Sequence, residues 1–152
     1  ILDCLQILPL INNKKTSILD MGTGAGLPGI LFSILGFSNV TLVDSNRKKT
    51  HFLKTIKKEM NLSFNIILNR LEKIDNIKFD LITSRALANL EKLITYSQKF
   101  LKKNTVLVFL KGKTVNDELI SAKKKWNFQY EKHKSLSDQR GCILVIKDIK
   151  KI

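Results

Sequence analysis

Cysteine, proline, tyrosine and tryptophan are all scarce in this chain. Its 152 residues hold two cysteines, two prolines, two tyrosines and one tryptophan. Cys4 and Cys142 lie near opposite ends, with no Cys-x-x-Cys pair and no paired histidine spacing. That argues against a zinc site and against a disulfide framework, and leaves two packed thiols. It also suits a reducing compartment, so the cytoplasm is the expected location. Long apolar runs are absent too. The longest, Leu27–Phe37, falls far short of the roughly 20 residues a helix needs to cross a bilayer. No basic segment is backed by a long apolar face, so a membrane surface is not an expected partner.

Acidic residues are the other shortage. There are 13 Asp plus Glu against 27 Lys plus Arg, a formal net charge of +14. Scattered lysines often serve only solubility, but these cluster. Arg47–Lys58 holds six basic residues and no acid, and Lys99–Lys113 holds five and no acid. Such patches release counterions from a phosphate backbone and attract nucleic acid without reading its sequence.

What is present is an ordinary globular composition, 43% apolar and 26% charged, with eight phenylalanines and many aliphatic residues for a core. The length suits one domain, residues 1–152, large enough to need no covalent staple. The chain opens inside an amphipathic pattern, Ile1, Leu2, Leu5, Ile7, Leu8 and Ile11, broken by Pro9. This reads as the end of a helix that has lost what preceded it.

Beyond that segment, β-branched runs alternate with helical periodicities. Strands are predicted at Ser17–Asp20, Val40–Asp44, Phe64–Leu68, Phe79–Ser84, Thr105–Lys111, Trp126–Glu131 and Cys142–Lys147. Helices are predicted at Leu27–Leu35, Lys48–Met60, Leu87–Leu101 and Val115–Lys125. Phe52, Leu53, Ile56 and Met60 recur at helical steps and leave the lysines outward. The alternation predicts an α/β fold with a mainly parallel sheet. Only Ser135–Gly141 separates the last two strands, too short for a crossover helix, so they should pair antiparallel.

The strongest local signal is Asp20-Met-Gly-Thr-Gly-Ala-Gly-Leu-Pro-Gly29, which follows a strand and opens a helix. Glycines at 22, 24 and 26 allow positive φ and close approach of a ligand to the backbone. Pro28 fits the first turn of the helix. A glycine-rich turn also serves simply as a tight connection, and the string satisfies the dinucleotide pattern Gly-x-Gly-x-x-Gly as well. Asp44 ends the second strand, where an acid suits ribose hydroxyls in either case. Three features favour S-adenosylmethionine over a dinucleotide. Asp20 at the strand end would repel a pyrophosphate but can help hold a ligand ammonium. No second domain or His–Arg or Tyr–Lys pair suits hydride transfer. A terminal antiparallel hairpin is typical of methyltransferases. The absence of Gly-Lys-Ser/Thr excludes a P-loop.

Other polar residues fall at strand ends. Asn69-Arg70-Leu71-Glu72 follows the third strand, where a carboxylate or amide reaches an adenine edge or, alternatively, makes a surface ion pair. Ser84-Arg85-Ala86 ends the fourth, where an arginine at a buried strand end needs a partner: a ligand carboxylate or phosphate, or a structural carboxylate. Lys111-Gly-Lys113 ends the fifth, and Arg140 precedes the last. His51 and His133 read as surface histidines, and no cysteine nucleophile is evident.

Taken in order, Asp20–Ile30, Asp44-Ser-Asn46 with Lys48-Lys49 and Phe52-Leu53, Arg70-Leu-Glu72, Ser84-Arg-Ala86, Leu110-Lys-Gly-Lys113 and Val145-Ile-Lys147 resemble the bacterial small-subunit rRNA guanine-N7 methyltransferase G family, also called glucose-inhibited division protein B. The resemblance covers essentially the whole chain. It implies a seven-stranded class I methyltransferase fold and methyl transfer from S-adenosylmethionine to N7 of a guanine in 16S rRNA, in free rRNA or in the small ribosomal subunit. The family's cofactor positions fall on Gly22, Leu27, Leu71, Glu72 and Arg85, beside Asp20, Gly24 and Asp44 read from the loop and strand ends. Ile1–Leu5 looks like the segment just after the family's N-terminal helices, so a fragment lacking those helices is expected. Cys4 stands where family members usually carry a small hydroxyl residue. Guanine N7 carries a lone pair and no proton, so alignment matters more than a general base, which fits a chain without an acid–base dyad. Arg47, Lys48, Lys49, Lys111, Lys113 and Arg140 are the expected rRNA contacts. A binding-only domain that has lost catalysis, or a methyltransferase acting on another acceptor, are the rival readings. Nothing requires an oligomer, and a monomer is expected.

Overall fold

The computed structural model describes all residues, 1–152. Seven strands form one sheet in the order β3-β2-β1-β4-β5-β7-β6. They are β1 (Ile18–Met21), β2 (Val40–Asp44), β3 (Asn65–Leu68), β4 (Leu81–Arg85), β5 (Val106–Lys111), β6 (Trp126–Lys134) and β7 (Cys142–Lys151). The first five are parallel, and β7 runs antiparallel between β5 and β6. The α/β class, the parallel sheet and the terminal hairpin are as expected from the sequence.

Period-two alternation sorts the apolar residues onto the two faces. Ile18, Val40, Leu42, Leu81, Val108 and Ile143 pack under α2 (Gly29–Ile34) and α3 (Arg47–Glu59), through Phe32 and Leu53 among others. Leu19, Met21, Val43, Ile82, Leu107 and Phe109 pack under α4 (Leu90–Ser97) and α5 (Val115–Ala122). Central strands buried on both faces read as continuous apolar runs, which is why β1, β2 and β4 were plain in the sequence. The edges differ. β3 is half exposed, and β6 carries Gln129, Glu131, Lys132 and Lys134 outward, the polar dressing that discourages pairing with another chain.

Several boundaries differ from expectation. The helix predicted at Leu27–Leu35 begins only at Gly29, because residues 24–28 form turns. The helix predicted at Leu87–Leu101 is α4 alone, followed by a 3-10 turn at Gln98–Phe100. Asn89 caps α4 by accepting from the Lys92 amide at 3.0 Å, so residues 86–88 are a loop. The hairpin strands run to Lys134 and Lys151, past the predicted Glu131 and Lys147. Their ends are highly charged and join the sheet through the ladder rather than through burial. A bulge opposes Phe128 to Asp148 and Ile149, and Asp148 takes φ +54° there.

The amphipathic opening forms a one-turn helix, α1 (Leu2–Leu5), and a 3-10 turn at Leu8–Leu10. Asp3 accepts from Ser135 Oγ at 2.8 Å, and Gln6 bonds the Lys134 carbonyl and the Leu136 amide. The opening segment is thus tied to the loop between β6 and β7. Both cysteines are free and buried, as expected of packed thiols.

Candidate cofactor cleft

The strand order reverses between β1 and β4, and an open α/β sheet leaves a crevice at the carboxyl ends of the strands flanking such a point. Ser84 Oγ adds a side-chain bond across the end of this strand pair by donating to the Met21 carbonyl at 3.0 Å. A cleft of about 460 Å³ opens there, within the roughly 300–1,000 Å³ usual for small-molecule sites. Gly22 after β1, Asp44 at the end of β2, Leu71 and Glu72 after β3, and Ala86 and Leu87 after β4 line it, with Tyr96 of α4 behind.

The glycine loop is built as its spacing implied. Gly22, Gly24 and Gly26 have φ of +61°, +58° and +96°. At Gly22 a Cβ would lie 2.6 Å from Leu87 Cδ1, so a side chain would fill the gap between the two walls of the cleft.

Asp44 is held from behind. Its Oδ2 accepts from the Gly24 amide at 2.9 Å and its Oδ1 from the Asn46 amide at 2.8 Å. Glu72 is different: it is exposed and forms no ion pair. The two carboxylates therefore meet the cleft as one fixed acceptor and one free one.

Asp20 does not line the cleft. Sharing Ile18's face of β1, it points under α2 and is fully buried. Its Oδ2 accepts from Thr23 Oγ1 at 2.6 Å and from the Gly29 amide at 3.0 Å, while Oδ1 accepts from Thr83 Oγ1 at 3.3 Å. Burial pushes its carboxyl up to about 6, against the pull of those three hydrogen bonds and of the Arg85 charge. Here it braces the glycine loop, so the structure offers a ligand ammonium no exposed Asp20 oxygen. Gly24 works through its amide on Asp44, and Leu27 is half-buried outside the cleft.

Arg85 departs from expectation as well. β4 runs one residue further than predicted, only Leu81–Ser84 are buried, and Arg85 is exposed with no carboxylate in ion-pair contact. Burial there does not force a partner on it, because the strand has already left the sheet interior. Ala86 follows with φ +55°, a left-handed conformation that is strained for a residue with a Cβ.

The sequence profile of GidB, rRNA small subunit methyltransferase G, matches residues 1–143. The chain belongs to this family. It is 40% identical over its whole length to the ribosomal RNA small subunit methyltransferase G of Rickettsia prowazekii (strain Madrid E), covering 78% of that protein. It is 32% identical over 97% of its length to the methyltransferase G of Paramagnetospirillum magneticum (strain ATCC 700264 / AMB-1), covering 72% of that protein. Among solved structures, the ribosomal protein L11 methylase of Lactobacillus delbrueckii subsp. bulgaricus superposes with a TM-score of 0.78 at 20% identity, over 95% of this chain and 76% of that one. A TehB-like SAM-dependent methyltransferase of Corynebacterium glutamicum gives 0.72 at 16% identity, over 97% and 88%. These distant likenesses establish the fold, a class I methyltransferase sheet.

In this member of the methyltransferase G family the basic residues singled out by sequence divide. Arg47, Lys48 and Lys49 form the exposed first turn of α3, and Lys49 reaches the cleft rim. Lys113 is exposed after β5, and Arg140 is exposed in the 135–141 loop beside Asp138. That loop shares the cleft's edge of the sheet, since Cys142 pairs with Lys111. Lys111 is the exception. Its side chain is 8% exposed and its Nζ lies 2.7 Å from Glu118 Oε2, a position unlike that expected of a phosphate contact. Tyr96 escaped sequence reading because nothing in its helical spacing distinguishes it from a core residue. No helix of the chain is long and apolar enough to cross a membrane.

Proposed function

We propose that this chain transfers a methyl group from S-adenosylmethionine to N7 of one guanine in the 16S rRNA of the small ribosomal subunit. One observation carries the reading. In a chain of this family, a single cleft combines bare backbone at Gly22, a braced carboxylate at Asp44 and a free carboxylate at Glu72.

Those groups fit the cofactor. Each Asp44 oxygen keeps a lone pair after Gly24 and Asn46 donate, enough for the two ribose hydroxyls. Glu72 and the Leu71 backbone take the amine and ring edge of adenine. Gly22 admits the methionyl end against main chain, and Arg85 offers its two-pronged guanidinium to a ligand carboxylate. Asp20, Gly24 and Leu27 shape the loop beneath. When bound, S-adenosylmethionine supplies a methyl group activated by its sulfonium.

Guanine N7 has no proton to lose, so the protein has to align the base and present a suitable field. No histidine lines the cleft, and none is needed. An unstacked guanine brings flanking phosphates with it. Arg47, Lys48, Lys49, Lys113 and Arg140 rim the same edge of the sheet and neutralise them.

The test is transfer of labelled methyl from S-adenosylmethionine to small subunits lacking the modification, mapped by chain cleavage at N7-methylguanine. Label at one guanine is the expected result. Cofactor binding without label would move the acceptor elsewhere, and no cofactor binding would remove the reading.

A further inference from the structure

Two lysines that look like part of the basic surface bond backbone in the turns that wall the cleft. Lys99, in the 3-10 turn after α4, donates from Nζ to the carbonyls of Leu71 at 3.2 Å and Glu72 at 3.1 Å. The Leu71–Lys73 turn is anchored in the core by Leu71 and Ile74, but its backbone has few bonds of its own: the Lys73 amide donates to the Arg70 carbonyl at 3.0 Å and the Ile74 amide to the Leu71 carbonyl at 3.3 Å. Lys111, at the end of β5, donates to the Ala88 carbonyl at 3.0 Å and pairs with Glu118. Glu118 Oε2 also accepts from the Leu90 amide at 2.8 Å, and Oε1 accepts from Thr114 Oγ1 at 2.8 Å. The 86–88 loop is therefore gripped where it enters α4, at the Ala88 carbonyl and the Leu90 amide, by one ion pair.

We propose that Lys99 and Lys111 are positioning residues for the cofactor, each setting one wall of the cleft: Lys99 the Leu71–Glu72 wall, and Lys111 with Glu118 the Ala86–Leu87 wall. The proposal rests on the cofactor reading above. A poorly exposed ion pair is a weak source of stability, since desolvation offsets much of its attraction. What it does supply is fixed geometry, and this one fixes the backbone two residues after the left-handed Ala86. A strained residue persists only where its surroundings over-determine it, and Lys111 with Glu118 provides that constraint. Lys99 does the same for the Leu71–Lys73 turn, fixing two carbonyls whose side-chain neighbours the core already holds. Neither lysine touches the cleft, so each acts through the backbone it holds.

The test is calorimetric titration of S-adenosylhomocysteine and of adenosine into the wild type, Lys99→Met, Lys99→Arg, Lys111→Met and the exposed control Lys54→Met. Lys99→Met should weaken both ligands about tenfold, the worth of a charged hydrogen bond, and Lys99→Arg should restore most of the loss. Lys111→Met should weaken S-adenosylhomocysteine while leaving adenosine unchanged, because its wall faces the methionyl end. Lys54→Met should match the wild type. Should Lys111→Met fail to fold, Glu118→Gln carries the same comparison, keeping the shape and the Leu90 bond while removing the charge. A wild type that binds and variants that bind equally well would overturn the positioning role alone. A wild type that binds neither ligand would overturn the cofactor reading and the proposal with it.

Discussion

At the scale of single residues, the cleft separates groups that face a ligand from groups that hold those groups in place. Asp44 and Glu72 face it, and Asp44→Ala is expected to raise the dissociation constant for S-adenosylhomocysteine at least about tenfold by calorimetry, with the fold retained. Asp20 stands beneath. Its folded carboxyl titrates near 6, above the ordinary 3.8, so between those values the folded chain binds more protons than the unfolded one. Its contribution therefore favours folding below about pH 4 and is lost as pH rises through 6. Urea unfolding at pH 4.5 and 7 should show a fall in wild-type stability relative to Asp20→Asn of about 2 kcal/mol; parallel behaviour would mean Asp20 is not the group responsible. Gly29 is a third case. A Cβ there would lie 1.9 Å from Leu42 Cδ2 and 2.9 Å from Asp20 Oδ2. Gly29→Ala should cost about 1–3 kcal/mol in the same assay and weaken cofactor binding by shifting the loop. The carboxylates and glycines of this site were legible because they sit at strand ends, where spacing gives them meaning. Tyr96 and Lys99 were not, because their roles come from what the fold brings beside them.

Among the elements, the helices show how local signals compete. α3 starts where Asn46 caps it, its Oδ1 accepting from the Lys49 amide at 3.0 Å, one residue from the predicted start. The same Asn46 amide braces Asp44, so its backbone joins the cleft to the basic first turn. Asn46→Ala should cost about 1 kcal/mol in thermal or urea unfolding while leaving the Asp44 bond in place. α4 begins three residues after the start its periodicity predicts, because Leu87 and Ala88 continue an apolar pattern that the Asn89 cap interrupts. The periodicity was right and the capping residue, present in the sequence, decided the boundary. The hairpin strands ran past their predicted ends for a different reason. Antiparallel pairing continues wherever backbone partners exist, and charged residues on a solvated face do not stop it.

For the whole molecule, the alternating runs carried the fold class and the short final connection carried the antiparallel hairpin, while the strand order and the division of the basic residues depend on what the fold brings side by side. A lysine on a pattern of charge looks the same whether it reaches solvent or Glu118. Salt dependence of rRNA binding is the measurement that separates them. Lys48→Ala and Lys113→Ala should each reduce the slope of log affinity against log salt by about 0.7, the value for one phosphate contact on a single strand. Lys111→Ala should leave that slope unchanged.

The place of β7 has a consequence for the order in which the molecule can be assembled. β6 is made before β7, yet its backbone pairs with the sheet only through β7, and β5 awaits the same strand on its open side. During synthesis, then, a five-stranded parallel sheet can form while Trp126–Lys134 has no strand to pair with. The second half of the α5 side of the core, including Trp126 and Phe128, closes only when Cys142–Lys151 threads between two waiting neighbours. A nascent chain stalled before residue 142 is left with an uncovered strand edge on β5, and the last strand acts as a latch on everything made before it.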